Sequence, residues 1–117
     1  MGMLVGSGKL FDAQVIPSGA GVVASTPGNI SGKDQITFKL VADVGCTAKI
    51  YYADGDPTNS NTKWFPSPTA GIASITLVAN TPVSFMERIN AGWVKAEITK
   101  GGAPITVTAS FETKAER

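Results

Sequence analysis

Residues 91–111, AGWVKAEITKGGAPITVTASF, decide how this chain is read. In the first half Val94, Ala96 and Ile98 share one parity while Lys95, Glu97 and Thr99 take the other, the period-2 alternation of a strand with one face buried. In the second half Ile105, Val107, Ala109 and Phe111 alternate with Thr106, Thr108, Ser110 and Glu112. Between them Lys100-Gly101-Gly102 reads as a tight reversal, because glycine reaches the positive backbone angles of a hairpin turn. Pro104 stands at the start of its strand, where a missing N–H is tolerated. The expectation is a hairpin whose two arms each offer one apolar face. Trp93 falls on the opposite parity from Val94, Ala96 and Ile98, so it is expected to face away from their core and either anchor a partner or cover a second face.

The same alternation runs upstream. Ile36, Phe38, Leu40 and Ala42 point one way and Gln35, Thr37 and Lys39 the other; Ala48, Ile50 and Tyr52 oppose Thr47, Lys49 and Tyr51 after a turn at residues 43–45. These two runs read as neighbouring antiparallel strands. Ala73, Ile75 and Leu77 alternate with Ser74, Thr76 and Val78, and Val83, Phe85, Glu87 and Ile89 make a less regular run. Ile36, Phe38, Leu40, Ile50, Ile75, Leu77, Phe85, Val94, Ile98, Ile105, Val107 and Phe111 form the predicted core. Seven or eight short strands with turn signals between them and no helical period predict an all-β fold, an antiparallel two-sheet β-sandwich of jelly-roll type with an extended N-terminal segment.

Residues 1–33 are the least regular. Strands are expected near 9–16, where Leu10 and Phe11 break clean alternation, and near 21–25, separated by Pro17-Ser18-Gly19 and followed by Thr26-Pro27-Gly28-Asn29, both strong turn signals. Two readings stand side by side: a glycine-rich arm that packs on a neighbouring subunit, and an edge strand of the chain's own sheet. The division expected is 1–33 as arm and edge strands and 34–117 as sandwich core, within a single domain of 117 residues, a size that folds without staples. Leu4, Val5, Leu10, Phe11 and Trp93 are the candidate interface residues.

Ten Lys and Arg against nine Asp and Glu leave a net charge of +1, which gives no electrostatic case for a nucleic acid or an anionic membrane. Charged residues are only 16% of the chain, and the consequence expected is a surface partly covered by neighbours. Cys46, the only cysteine, excludes an internal disulfide and reads as a buried structural thiol. The opening MGMLVGSGKLF has no basic region leading into a long apolar run, so neither a signal peptide nor a membrane span is expected.

There is no histidine, which removes Ser-His-Asp and Cys-His arrangements. No glycine-rich loop leads from a strand into a helix to cradle phosphate, and the carboxylates are scattered. The chain is expected to be no enzyme and to need no cofactor. Asp54-Gly55-Asp56 with Asn59 and Asn61 places oxygens at alternate positions, as a hard cation requires. No distal bidentate glutamate follows, and the same residue types make turns, so a loop without metal is predicted. Trp64 and Phe65 beside that loop, with Asp54 and Asp56 and with Tyr51 and Tyr52, are the candidate platform for a stacked sugar; the competing role of such aromatics is to plug the end of a sandwich.

Three stretches, GSGKLFDAQVIPSGAG, YYADGDPTNSNTKWFPSP and AGWVKAEITKGGAPITVTASF, resemble the small β-sandwich head decoration, or cement, proteins of tailed bacteriophages. The resemblance implies a non-enzymatic virion protein, made in the host cytoplasm and multiplied over the capsid surface. Its partners would be the major capsid protein lattice and copies of itself, as dimer or trimer. It carries no site residue across. A tail or baseplate accessory protein of the virion and a carbohydrate-binding module are the alternatives.

Overall fold

The structure is a computed structural model; it describes residues 3–19 and 21–116, with side chains from Val5 to Ala115. Among the described residues the chain forms β1 (Met3–Ile16), β2 (Gly21–Ala24), β3 (Gly28–Asn29), β4 (Gln35–Ala42), β5 (Cys46–Ala53), β6 (Phe65–Pro66), a helical turn α1 (Ala70–Ala73), β7 (Ile75–Leu77), β8 (Val83–Arg88), β9 (Trp93–Lys100) and β10 (Ile105–Glu116). The strands make two antiparallel sheets. One has the order β1-β10-β4-β8; the other runs β2-β9-β5-β6, with β3 also on β9 and β7 also on β5. If β2 with β3 and β6 with β7 are taken as interrupted single strands, each sheet holds four strand positions. The chain then changes sheet at every passage except that from β5 to the β6 position, which is the jelly-roll form of a β-sandwich.

Two expectations are corrected here. The stretch 91–111 is not a hairpin: β9 pairs with β5, β2 and β3, whereas β10 pairs with β1 and β4. Likewise β4 and β5 are not neighbours but lie in opposite sheets. Alternation states which face of a strand is apolar and says nothing of its partner. Packed face to face about 10 Å apart, the two arms bury their apolar faces against each other, whereas a hairpin would leave both on one side needing a cover. The connection at 101–104 is long enough for that crossing, since extended chain spans about 3.3–3.6 Å per residue.

The predicted core residues all lie between the sheets, Phe85 only half-buried at the margin. Leu10 and Phe11 join them, at 3% and 0% exposure, and this corrects their assignment to an interface. The cause is a β-bulge. The register with β10 shifts between Lys9 and Phe11 and again between Phe11 and Gln14, so two consecutive side chains turn inward; Ala13, at φ 47°, takes up the second shift. With Ile16 and Ile30 also buried, residues 1–33 supply an edge strand of the chain's own core. Gly8 and Gly28 flank the ring of Phe111: a Cβ on either would fall 2.6 Å from a ring carbon, so only glycine admits the aromatic there.

Candidate interaction surface

The alternation that fills the core also decides what the outside of the second sheet presents. Register between β5 and β9 sets Lys49 opposite Glu97, Tyr51 opposite Lys95 and Ala53 opposite Trp93. Lys95 Nζ lies 4.7 Å from the centre of the Trp64 ring and 5.7 Å from that of Tyr51, and 3.3 Å from a carboxylate oxygen of Glu97. The ammonium is thus held over aromatic faces, an attraction of about 0.5–2 kcal/mol depending on desolvation. Trp93 stands on this same outer face, half-buried, with Asn29 of β3 on its other side. The result is a patch of three half-buried aromatic rings with a charge pair locked among them.

The sugar platform expected from sequence is split by the fold. Tyr52 is buried in the core, while Tyr51 and Trp64 serve Lys95. Phe65 is 62% exposed and borders an open depression of about 360 Å³ lined also by Asp54, Asn59, Asn61, Thr62 and Lys63. Asp56 does not line it. Its carboxylate accepts hydrogen bonds from the Thr58 N–H and hydroxyl, at 2.9 and 2.7 Å, and these hold its pKa below the usual aspartate value. Asn59 makes a similar local turn with the Asn61 N–H. Turn chemistry therefore accounts for the oxygen-rich spacing, and no group of three His, Cys, Asp or Glu that could hold a metal occurs among the described residues.

Other candidate residues have other neighbours. Val5 is exposed on β1 and Trp93 faces out, as their parity requires; the side chain of Leu4 lies outside the described residues. Cys46 is half-buried, and burial, aided by the Asp43 charge, raises its thiol pKa, which disfavours the thiolate.

Two polar sites were missed by the search for chemistry. Glu87, 5% exposed, accepts hydrogen bonds from the hydroxyls of Tyr52 (2.5 Å), Ser67 (2.7 Å) and Thr69 (2.7 Å). Lys100, 7% exposed, donates to the carbonyls of Pro17, Gly19 and Gly101 at 3.1, 2.6 and 2.9 Å. Both share the inward parity of their strands, Glu87 with Phe85 and Lys100 with Ile98, and that parity is the signal from which they are found. Both satisfy a buried charge and fasten a loop.

No protein-family model matches the chain, and no curated protein matches it in sequence. Solved structures do match in shape. The chain is similar to the infectious bursal disease virus VP2 subviral particle, with a TM-score of 0.58 at 16% identity over 97% of this chain and 33% of that one. It is also similar to the protein in a structure of the Gx strain of that virus, with a TM-score of 0.53 at 14% identity over 96% of this chain and 32% of that one. A third likeness is to Bacillus endospore appendages, which form a novel family of disulfide-linked pili, with a TM-score of 0.54 at 14% identity over 98% of this chain and 89% of that one. The chain spans about a third of the length of the two virus proteins. At these identities the likenesses establish the fold.

Proposed function

We propose that this protein is a structural component of a virus particle, and specifically a decoration protein of a tailed-bacteriophage head that binds in many copies to the major capsid protein lattice. It is made in the host cytoplasm and resides on the capsid surface. The observation that carries the proposal is the outer face of the second sheet. There Trp93, Tyr51 and Trp64 stand half-buried around Lys95 and Glu97, already ordered before any partner arrives. Rigid aromatics of this kind lose little entropy on docking and are the side chains that dominate interface energies. The jelly-roll likeness to the VP2 subviral particle supports the reading at the level of fold. Repetition over a lattice converts modest single-site affinity into firm attachment.

The test is to add the purified chain to shells that lack it. Decorated shells should survive higher temperature and harsher osmotic shock, and Trp93→Ala should weaken attachment by about 2 kcal/mol, roughly thirtyfold. Shells that neither bind the chain nor gain resistance refute the proposal. A carbohydrate-binding module remains the second reading, on the exposure of Phe65 beside Asp54, Asn59 and Asn61. Retention on a polysaccharide column that Phe65→Ala or Trp64→Ala abolishes would favour it.

A further inference from the structure

We infer that β8 is the self-association edge of this protein: a second copy pairs its own β8 antiparallel to it about a two-fold axis at Met86, joining two four-stranded sheets into one of eight. The inference concerns the copies that the proposed coat function employs, yet it is independent of shell binding, which a monomer can perform.

The argument starts from where the backbone groups point. Ala42 pairs with Val107, and the next residue, Asp43, donates its N–H to the Thr106 carbonyl. Hydrogen-bonded pairs alternate in an antiparallel ladder, so Gln35, Thr37, Lys39 and Val41 address β10, and Ile36, Phe38 and Leu40 address β8. The bond from the Ile89 N–H to the Asp34 carbonyl, one step beyond the Gln35–Arg88 pair, has the same phase. Val83, Phe85 and Glu87 therefore spend their main-chain groups on β4. Those of Ser84, Met86 and Arg88 face away from it, and among the described residues no strand lies on that side.

Edges left open are ordinarily blunted, and the others here are. The second sheet ends in strands of two to four residues, with Pro27 between β2 and β3 and Pro66 within β6. On β1 the downstream half is bulged twice; the upstream half keeps its register with β10 from Met3 to Lys9 and exposes Val5, but turns Gly6 and Gly8 inward, with no side chain there for a neighbour to cover. β8 holds its register with β4 over its whole length of six residues without a shift. It also carries uncovered apolar surface on both faces: Met86 is 59% exposed outside, while Val83, Phe85 and Ile89 are only partly covered inside.

The occupant follows from the sequence of the edge itself. Two-fold pairing at Met86 sets Met86 against Met86, Ser84 against Arg88 and Phe85 against Glu87. No like charges meet, the outward groups form about six main-chain hydrogen bonds, and the two methionines cover each other. A closed two-fold contact of this sort ends in a dimer and not in a fibre.

The experiment is sedimentation equilibrium of the full chain. Wild type should be dimeric. Met86→Pro removes only an outward N–H and leaves the bonds to β4, and Met86→Lys brings two charges together at the axis. Each should weaken dimerisation at least tenfold, with circular dichroism and melting temperature close to wild type. If Met86→Pro does not fold, Met86→Lys carries the test alone. Register is checked by a short thiol-reactive bifunctional reagent in a Cys46→Ala background: Ser84→Cys mixed with Arg88→Cys should cross-link, and either alone should not. A monomeric wild type, a dimer indifferent to both Met86 variants, or a dimer broken by Val5→Lys on β1 overturns the inference, whatever the outcome of shell binding.

Discussion

The carboxylate of Glu87 and the phenol of Tyr52 are the pair whose chemistry is most tightly held. Burial, followed by the hydrogen bond to Glu87 and the charge of that group, drives the Tyr52 pKa well above its ordinary value, so the phenol remains a donor across the working range. Tyr52→Phe should cost about 1–3 kcal/mol in urea unfolding, the price of leaving a buried acceptor with one donor fewer. Because the folded pKa is raised, the stabilisation is complete below the unfolded tyrosine value of about 10 and is lost as pH climbs past it. The gap between wild type and Tyr52→Phe should accordingly narrow above about pH 10, by up to about 1.4 kcal/mol per pH unit, and a gap constant to pH 11 would contradict the assignment. Phe111 permits a second test, since Gly28→Ala drives a Cβ to 2.6 Å from its ring. The expected cost is about 1–3 kcal/mol of overpacking, and Phe111→Leu in the same chain should make the pair less than additive. The inward parity of Glu87 was legible in Val83-x-Phe85-x-Glu87, but its hydroxyl donors were not, because Ser67 and Thr69 come from a segment with no periodicity to place them.

At the scale of elements, the buried faces of β4, β5 and β7 to β10 could be read from alternation and their neighbours could not. The arms of 91–111 carry the apolar parity expected of them, yet they face each other across the core because both sheets need a covered face and 101–104 is long enough to cross. The same junction holds Lys100, whose ammonium gathers the carbonyls of Pro17, Gly19 and Gly101 and so ties the end of β9 to the passage from β1 to β2. Lys100→Met keeps the aliphatic stem and leaves three acceptors without that donor. It should lower stability by about 1–3 kcal/mol in chemical denaturation, and an unchanged midpoint would show that water satisfies them equally well. The loop at 54–62 rests on hydrogen bonds that its own Asp56 and Asn59 side chains accept from Thr58 and Asn61, so EDTA should leave the melting temperature where it was; a fall reversed by calcium would assign the loop a cation. Its Asp and Asn spacing was legible as turn or as ligand set, and the local bonds explain it as turn.

For the molecule as a whole, the N-terminal segment is the part whose role was least legible, since a bulge that turns both Leu10 and Phe11 inward has the outward signature of broken alternation. A chain shortened by residues 1–25 loses β1 from the edge of one sheet, β2 from the edge of the other and the buried side chains of Leu10, Phe11 and Ile16, each worth about 1.5–3 kcal/mol of burial. That sum, about 4.5–9 kcal/mol, is comparable to the whole net stability of a domain, about 5–15 kcal/mol. The shortened chain should therefore show no cooperative thermal transition, and a sharp melt near that of the full chain would show the segment to be a dispensable arm. The strand order has a further result for how the chain is made. β10 is the last strand of the fold in chain order, yet it lies between β1 and β4, pairing Met3 with Glu116 and Phe38 with Phe111. Until β10 leaves the ribosome, β1 has no neighbour within the fold, and at about 5–20 residues per second it waits several seconds with an unpaired, apolar face. Closure of this sheet therefore waits for its last strand, and the growing chain depends on the bulges and charges of β1, or on a chaperone, to stay single until that strand arrives.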